Sequence, residues 1–234
     1  MKLLLVGHGR MGRLVEHLAS SYGADVAGIL DENNIDTAGA LDPARWADID
    51  VIVDFSLADA FLTNVPRLLA LRKNLVVGTT GWKNQTADVR AAIEAAGIGA
   101  VVAANFSVGA NILDALAERA GHLFEPHASY GAYIHESHHA AKKDAPSGTA
   151  ISIKTAIEEG GFSRPIDVSS TRVGFVPGIH TAGFDGPSET VTLTHTVRDR
   201  ATFAHGALTA AQWVQGKRGW FTMRDVLGLG LTGK

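Results

Sequence analysis

Apolar positions along this chain follow two different rhythms. In the first hundred residues, short apolar runs alternate with segments of helical periodicity. Lys2 to Val6 is apolar enough for a buried strand, and Arg13 to Ser21 carries Leu14, Val15 and Leu18 at helical spacing. Ala24 to Leu30 reads as a second strand, Asp50 to Ser56 as a third, Leu75 to Val77 as a fourth and Gly99 to Ala103 as a fifth. Ala58 to Leu71 and Ala87 to Ala96 read as the helices between them. Strands that alternate with helices predict a parallel, doubly wound α/β sheet. After Phe106 the rhythm changes. Ser107 to Phe124 reads as one long helix, Ala128 to His138 as a strand, and Ser147 to Gly160 as a helix with Ser147 or Asp144 near its cap. Asp167 to Val173 and Glu189 to Val197 read as strands, and Phe203 to Gln215 as a helix. Val173 to Pro187 holds four glycines and two prolines and reads as loop. This predicts a second, mixed α+β domain over 107–207, after a first domain over 1–106 to which the segment 208–234, with Trp220 to Leu231, returns.

Composition narrows the class. Of 234 residues, 46% are hydrophobic and 19% charged, which suits a folded chain with a sizeable core. The net charge of −3 argues against a nucleic-acid partner held by bulk charge. There is no cysteine, which excludes disulfides, thiol nucleophiles and thiolate metal sites and fits a reducing compartment. The apolar run after Lys2 stops at Gly7, too short for a signal-peptide core, and no stretch approaches the ~20 apolar residues of a membrane span. The expectation is a soluble cytoplasmic protein with no membrane partner.

Candidate chemistry lies at the ends of the first-domain strands. Gly7-His8-Gly9-Arg10-Met11-Gly12 joins the first strand to the first helix, and Asp31 ends the second strand 19 residues after Gly12. This is the order of a Rossmann-type dinucleotide site. The glycines allow a tight turn and close approach of a pyrophosphate to a helix N-terminus, and the acid accepts hydrogen bonds from the adenosine ribose. Asp54-Phe55-Ser56, Gly78-Thr79-Thr80-Gly81 and Ala103-Ala104-Asn105-Phe106 fall at the same carboxyl edge, where such sheets bind ligands. At the second strand's end, Asp31 and Glu32 would repel a ribose 2′-phosphate, and Arg10 would partly offset them. The expected preference is therefore NADH, with NADPH possible.

The densest chemistry is His135-Glu136-Ser137-His138-His139-Ala140-Ala141-Lys142-Lys143-Asp144-Ala145-Pro146-Ser147-Gly148-Thr149-Ala150. Its start satisfies H-E-x-x-H, a zinc motif when both histidines share a helix face. The residues leading into His135 are strand-like, and residues four apart on a strand lie ~13 Å apart, too far for one zinc. No metal is expected. Ser147-Gly148-Thr149 at a helix start is an anion seat, suited to a substrate carboxylate. His138, His139, Lys142 and Lys143 add positive charge beside it, which suits a small dicarboxylate that must receive a proton.

Glu136 to Ala150, E-x-H-H-x-x-K-x-D-A-P-S-G-T-A, resembles the signature of the dihydrodipicolinate reductases without a gap at any fixed position. The resemblance extends over most of the chain, through Asp54-Phe55-Ser56, Gly78 to Gly81, Ala104 to Gly109, Thr194-His195, Arg200, Phe203-Ala204, Gly206-Ala207 and Trp213. It implies nicotinamide-dependent reduction of the cyclic intermediate on the diaminopimelate route to lysine. It implies His138 as the acid/base residue, Lys142 as the proton donor, and His139, Ser147, Gly148 and Thr149 as holders of a substrate carboxylate. It implies cofactor contacts from Gly7 to Gly12, Asp31, Gly78 to Thr80 and Ala103 to Phe106, and a homotetramer joined through the second domain. Two departures stand out. The second domain is short between Gly160 and Glu189, and the glycine loop is one residue tighter than in many members. Two rival readings remain, a nicotinamide reductase of another small dicarboxylate and a non-catalytic dinucleotide sensor.

Overall fold

Leu3, Leu4, Leu5 and Val6 are all buried, as a central strand covered on both faces requires. The computed structural model describes residues 1–230, so Leu231 and the rest of the expected return segment lie outside the described residues. In the first unit, β1 (Lys2–Val6), β2 (Asp25–Leu30), β3 (Val51–Asp54), β4 (Asn74–Val77), β5 (Gly99–Val102) and β10 (Gly219–Phe221) form a six-stranded sheet in the order β10-β5-β4-β3-β1-β2. Every pairing is parallel. Alternate residues of each strand feed two separate cores. Leu4, Val6, Ile52, Leu75 and Val77 pack with Phe61, Leu68 and Ile93 of α2 (Ala58–Ala70) and α3 (Thr86–Ala96). Leu3, Leu5, Val53 and Val76 pack on the other face with Val15 of α1 (Arg10–Ala19) and with Ala204, Ala207, Leu208 and Ala211 of α6 (Ala201–Val214). This period-two division is the reason the strands read as continuous apolar runs.

The second unit spans Val108–Thr202, and the first takes up the chain again at Phe203. The division expected at 207 would cut α6. Ala204 and Ala207 bury in the first unit's core, and a Cβ on Gly206 would lie 1.7 Å from the Phe106 carbonyl oxygen, so residues 203–207 pack with the first unit. The return segment also adds β10, which pairs with β5 and is followed by α7 (Met223–Val226).

The second unit is a four-stranded mixed sheet under two helices. α4 (Val108–Phe124) and α5 (Gly148–Glu159) cover one face of β7 (Ile166–Arg172), β6 (Gly131–His138), β8 (Ile179–Asp185) and β9 (Thr190–Thr196), in that spatial order. β6 and β7 are parallel across the α5 crossover, and the other two pairings are antiparallel. Ile134, Ile153, Ile157, Ala182 and Phe184 form the core. β8 corrects the loop expected over Val173 to Pro187. His180, Ala182 and Phe184 alternate inward, and Gly183 is required by packing, because a Cβ there would lie 2.3 Å from the ring of Tyr133 on β6. The glycine that suggested a turn is a seat for a cross-strand aromatic ring.

Candidate active site

The carboxyl edge of the first unit's sheet is stitched by backbone hydrogen bonds just past the strands. Gly7 N–H donates to Leu30, Phe55 N–H to Val6, Gly78 N–H to Asp54 and Ala103 N–H to Val77. The four polar segments expected from the sequence therefore lie side by side. Gly7 has φ +87° and a Cβ there would lie 2.6 Å from the Phe55 carbonyl oxygen, so only glycine fits. A Cβ on Gly12 would lie 2.1 Å from the Gly7 oxygen, which lets α1 start against β1. At Gly9, the N-cap of α1, a Cβ would meet nothing within 4 Å. Tight glycines below and an open, side-chain-free helix N-terminus above fit a pyrophosphate cradle.

The other expected cofactor residues divide into exposed and supporting groups. His8 bonds Glu16 at 2.7 Å, Arg10 is exposed, and Met11, in the first turn of α1, packs against the core. Asp31 accepts the Asn33 backbone N–H at 2.9 Å with one carboxylate oxygen, so the turn after β2 fixes its direction. Thr79 is buried, and its hydroxyl donates to Asp54 at 2.6 Å, whereas Thr80 is exposed. Asp54 also accepts from the Ser56 N–H and hydroxyl; burial raises its pKa against those bonds. Gly78 leaves room for the Phe55 ring, which packs edge-on against buried Phe106. Asn105 caps the chain by accepting the Ser107 N–H at 2.9 Å, after Ala103 and the exposed Ala104.

The second unit gathers the histidines by strand register. Ser170, Glu136, His180 and His195 face one another across β7, β6, β8 and β9 as one row. His138 and Arg172 form the next pair along. Glu136 is fully buried, a position a carboxylate holds only when well bonded. The Arg172 guanidinium meets both its oxygens, at 2.9 and 2.6 Å, and the Ser147 N–H donates at 3.2 Å. His138 Nδ1 bonds the same carboxylate. Burial alone would raise the Glu136 pKa, but hydrogen bonds from Arg172, Ser170 and His138 outweigh it and hold it at about 2. Burial lowers the His138 pKa against the pull of Glu136, and the cations Lys142 and Arg172 push the same way. His180, with its ring centroid 5.0 Å from that of His138, is pushed down to about 4, chiefly by burial.

β6 ends at His138, so His139 starts the loop, and Lys142 N–H donates back to the His139 carbonyl at 3.0 Å. Lys142 pairs with Asp144 at 2.8 Å, and Arg172 donates to the Asp144 carbonyl at 2.7 Å, tethering the loop that leads to α5. Ser147 is the N-cap of α5, its Oγ accepting the Ala150 N–H at 3.2 Å, and a Cβ on Gly148 would meet nothing within 4 Å. Ser147, Gly148 and Thr149 thus form a helix N-terminus open at Gly148, beside Lys142 and His138. The H-E-x-x-H pentamer lies on strand and loop. His135 faces away from Glu136, its ring nitrogens bonded to Ser169 and Ser137.

The sequence alone did not point to Arg172, His180 or Gly178. Arg172 meets Glu136 only through the β6–β7 pairing, and His180 sits in the strand read as loop. The H-x-A-x-F alternation of His180, Ala182 and Phe184 was the available signal.

A parallel sheet with a glycine turn after its first strand, in a chain whose second unit carries histidines and a lysine on and beside a mixed sheet, defines a Rossmann-like α/β fold of the reductase type. The model of the dihydrodipicolinate reductase N-terminus matches residues 1–106, and that of its C-terminus residues 109–227. A 4-hydroxy-tetrahydrodipicolinate reductase of Rhodopseudomonas palustris (strain TIE-1) is 37% identical over 273 residues, covering 98% of both chains. One of Christiangramia forsetii is 32% identical over 238 residues, covering 97% of this chain and 98% of its own. The dipicolinate-bound dihydrodipicolinate reductase of Paenisporosarcina sp. TG-14 shares the fold, with a TM-score of 0.79 at 21% identity over 95% of this chain and 97% of its own. The chain belongs to the dihydrodipicolinate reductase family.

Proposed function

We propose that this protein reduces 4-hydroxy-tetrahydrodipicolinate (dihydrodipicolinate) to tetrahydrodipicolinate with NADH or NADPH, on the diaminopimelate route to lysine. The observation that carries this reading is the unbroken run from Glu136 to Ala150, laid out as strand end, cationic loop and helix N-cap. The nicotinamide cofactor supplies the hydride, and Gly7 to Gly12, Asp31, Thr80, Ala104 and Asn105 are the residues that would hold it. Gly78, Thr79, Ala103 and Phe106 shape the same edge. The substrate is a small dicarboxylate. One carboxylate sits at the α5 N-terminus, held by Ser147, Gly148 and Thr149 with His139 beside it. The 4-hydroxyl leaves as water to give the conjugated dihydrodipicolinate ring; hydride added to that ring would leave an electron pair on it, and a proton must reach it. Lys142 donates that proton and His138 serves as acid and base. Burial lowers the His138 pKa and so favours its neutral form, whose lone pair can take up a proton, which suits the base half of that role. The working assembly is a homotetramer, formed through the open face of the β7-β6-β8-β9 sheet that carries Tyr133, His135, Thr181 and Thr194.

Turnover of synthase-generated substrate, followed by loss of NADH absorbance, tests the reading. A sensor would bind NADH and leave its absorbance unchanged. A reductase of another dicarboxylate would oxidise NADH only with that acid. Light scattering at micromolar concentration tests the tetramer, which a monomeric mass would refute.

A further inference from the structure

Glu136 belongs to no step of that reaction, yet more bonds converge on it than on any neighbouring side chain of the row. Its Oε1 takes donors from Arg172 and the Ser147 N–H, and its Oε2 takes donors from Arg172 and His138. An ionised carboxylate only accepts hydrogen bonds, so whatever bonds it must donate. The ring nitrogen facing Glu136 is Nδ1, which therefore carries the proton in neutral His138. The other nitrogen, Nε2, then presents a lone pair. It lies beside Gly178, where a Cβ would approach it at 3.1 Å, so the missing side chain leaves room there. Arg172 also balances the charge of Glu136, and the two-pronged contact keeps the carboxylate from turning.

We propose that Glu136, locked by Arg172, is a positioning residue that sets the tautomer and direction of His138, so that Nε2 is its working nitrogen. A bond to Nδ1 that fixes which ring nitrogen reacts is a general device for catalytic histidines. This inference rests on the reductase reading for its kinetic part alone. A carboxylate that merely tied β6 to β7 would give stability and leave the tautomer free. The charged and titratable groups facing His138 are Glu136 on its own strand, Lys142 in the next loop, Arg172 on β7 and His180 on β8. Removing Glu136 takes away the one group among these that raises the His138 pKa.

The test is 15N NMR of the full-length protein labelled at histidine, across pH, for wild type and Glu136→Gln. The wild type should show His138 neutral with the proton on Nδ1, and Glu136→Gln should mix in the Nε2–H form and shift the titration to lower pH. In turnover, Glu136→Gln should lower kcat by roughly 10- to 100-fold, with KM changed by less than about threefold and the acid limb of the pH profile moved down. Glu136→Asp should recover part of kcat. A wild-type His138 protonated on Nε2 would overturn the proposal even if no variant folds. So would a folded Glu136→Gln enzyme with wild-type kcat and pH profile. If wild type oxidises no NADH with the substrate, the reductase reading fails, and the 15N result still decides the role of Glu136.

Discussion

His180 Nε2 lies 3.1 Å from the Oγ of Ser147, joining the middle of β8 to the N-cap of α5. Because Ser147 Oγ also accepts the Ala150 N–H, this pair couples a buried titratable ring to the start of α5, where we propose that a substrate carboxylate binds. The His180 pKa is about 4 in the fold, against an ordinary value of 6.5, so the unfolded chain binds the proton more tightly. Its contribution to stability is complete above pH 6.5 and is lost as pH falls from there through about 4, a change on the order of 3 kcal/mol. Urea unfolding at pH 7.5, 6 and 5 should show stability falling with pH. His180→Leu should flatten that slope while losing stability at pH 7.5. An unchanged slope in His180→Leu would show that another group drives the acid loss.

Gly178 should tolerate no side chain without a loss of activity. An alanine Cβ would sit 3.1 Å from His138 Nε2 and 3.6 Å from His180 Cε1. Gly178→Ala should lower kcat/KM by roughly tenfold through occlusion of that nitrogen, with NADH binding unchanged. Steady-state kinetics and fluorescence titration of NADH check both parts. Full activity would place the working nitrogen elsewhere.

His138→Gln and Lys142→Ala should each lower kcat by ~10²-fold or more, the scale of a lost proton-transfer group. Both residues belong to the second unit, whereas the glycine turn belongs to the first, so the NADH Kd should hold in each variant. Kinetics together with NADH titration separate these effects. Activity should survive prolonged treatment with chelator. Stoichiometric zinc whose removal abolished turnover would reopen the H-E-x-x-H reading of His135 and His139.

What the sequence made legible follows from how local each signal is. Gly12 is demanded by its contact with the Gly7 oxygen inside one turn and Gly7 by its φ of +87° in that same turn, so their spacing was readable locally, although Gly7 also meets Phe55, just past the distant strand β3. The Glu136 to Ala150 run is contiguous, and its strand-to-helix change falls inside the motif. Arg172 was invisible because it lies 36 residues from Glu136, and only the β6–β7 register brings them together. β8 was hidden because Gly183 serves the Tyr133 ring, and a glycine used for packing looks in sequence like a glycine used for turning. β10 has three residues, too few for any periodicity to register.

Cofactor preference turns on the end of β2. Asp31 is held in direction by Asn33, and the backbone N–H of Asp31 is itself bonded to the Asn34 side chain at 2.9 Å, so the turn presents a fixed carboxylate. A ribose 2′-phosphate brought to that carboxylate meets like charge, whereas a free 2′-hydroxyl can donate to it. Glu32 is exposed beside it and adds a second negative charge. Arg10, exposed at the first position of α1, is the cation in the glycine turn that can offset them. Arg67 is already bonded to Asp36 at 3.0 Å and to the Ile35 carbonyl at 2.9 Å. Two acids against one exposed arginine favour NADH, so kcat/KM should be higher for NADH by roughly 3- to 30-fold, or about 1–2 kcal/mol. Asp31→Ser combined with Glu32→Arg should move the preference toward NADPH, and Arg10→Ala should widen the wild-type preference for NADH. Paired kinetics with both cofactors at matched ionic strength decide the matter, because salt screens the phosphate repulsion. A wild-type enzyme that favoured NADPH, with the preference lost in Arg10→Ala, would show that Arg10 outweighs both carboxylates.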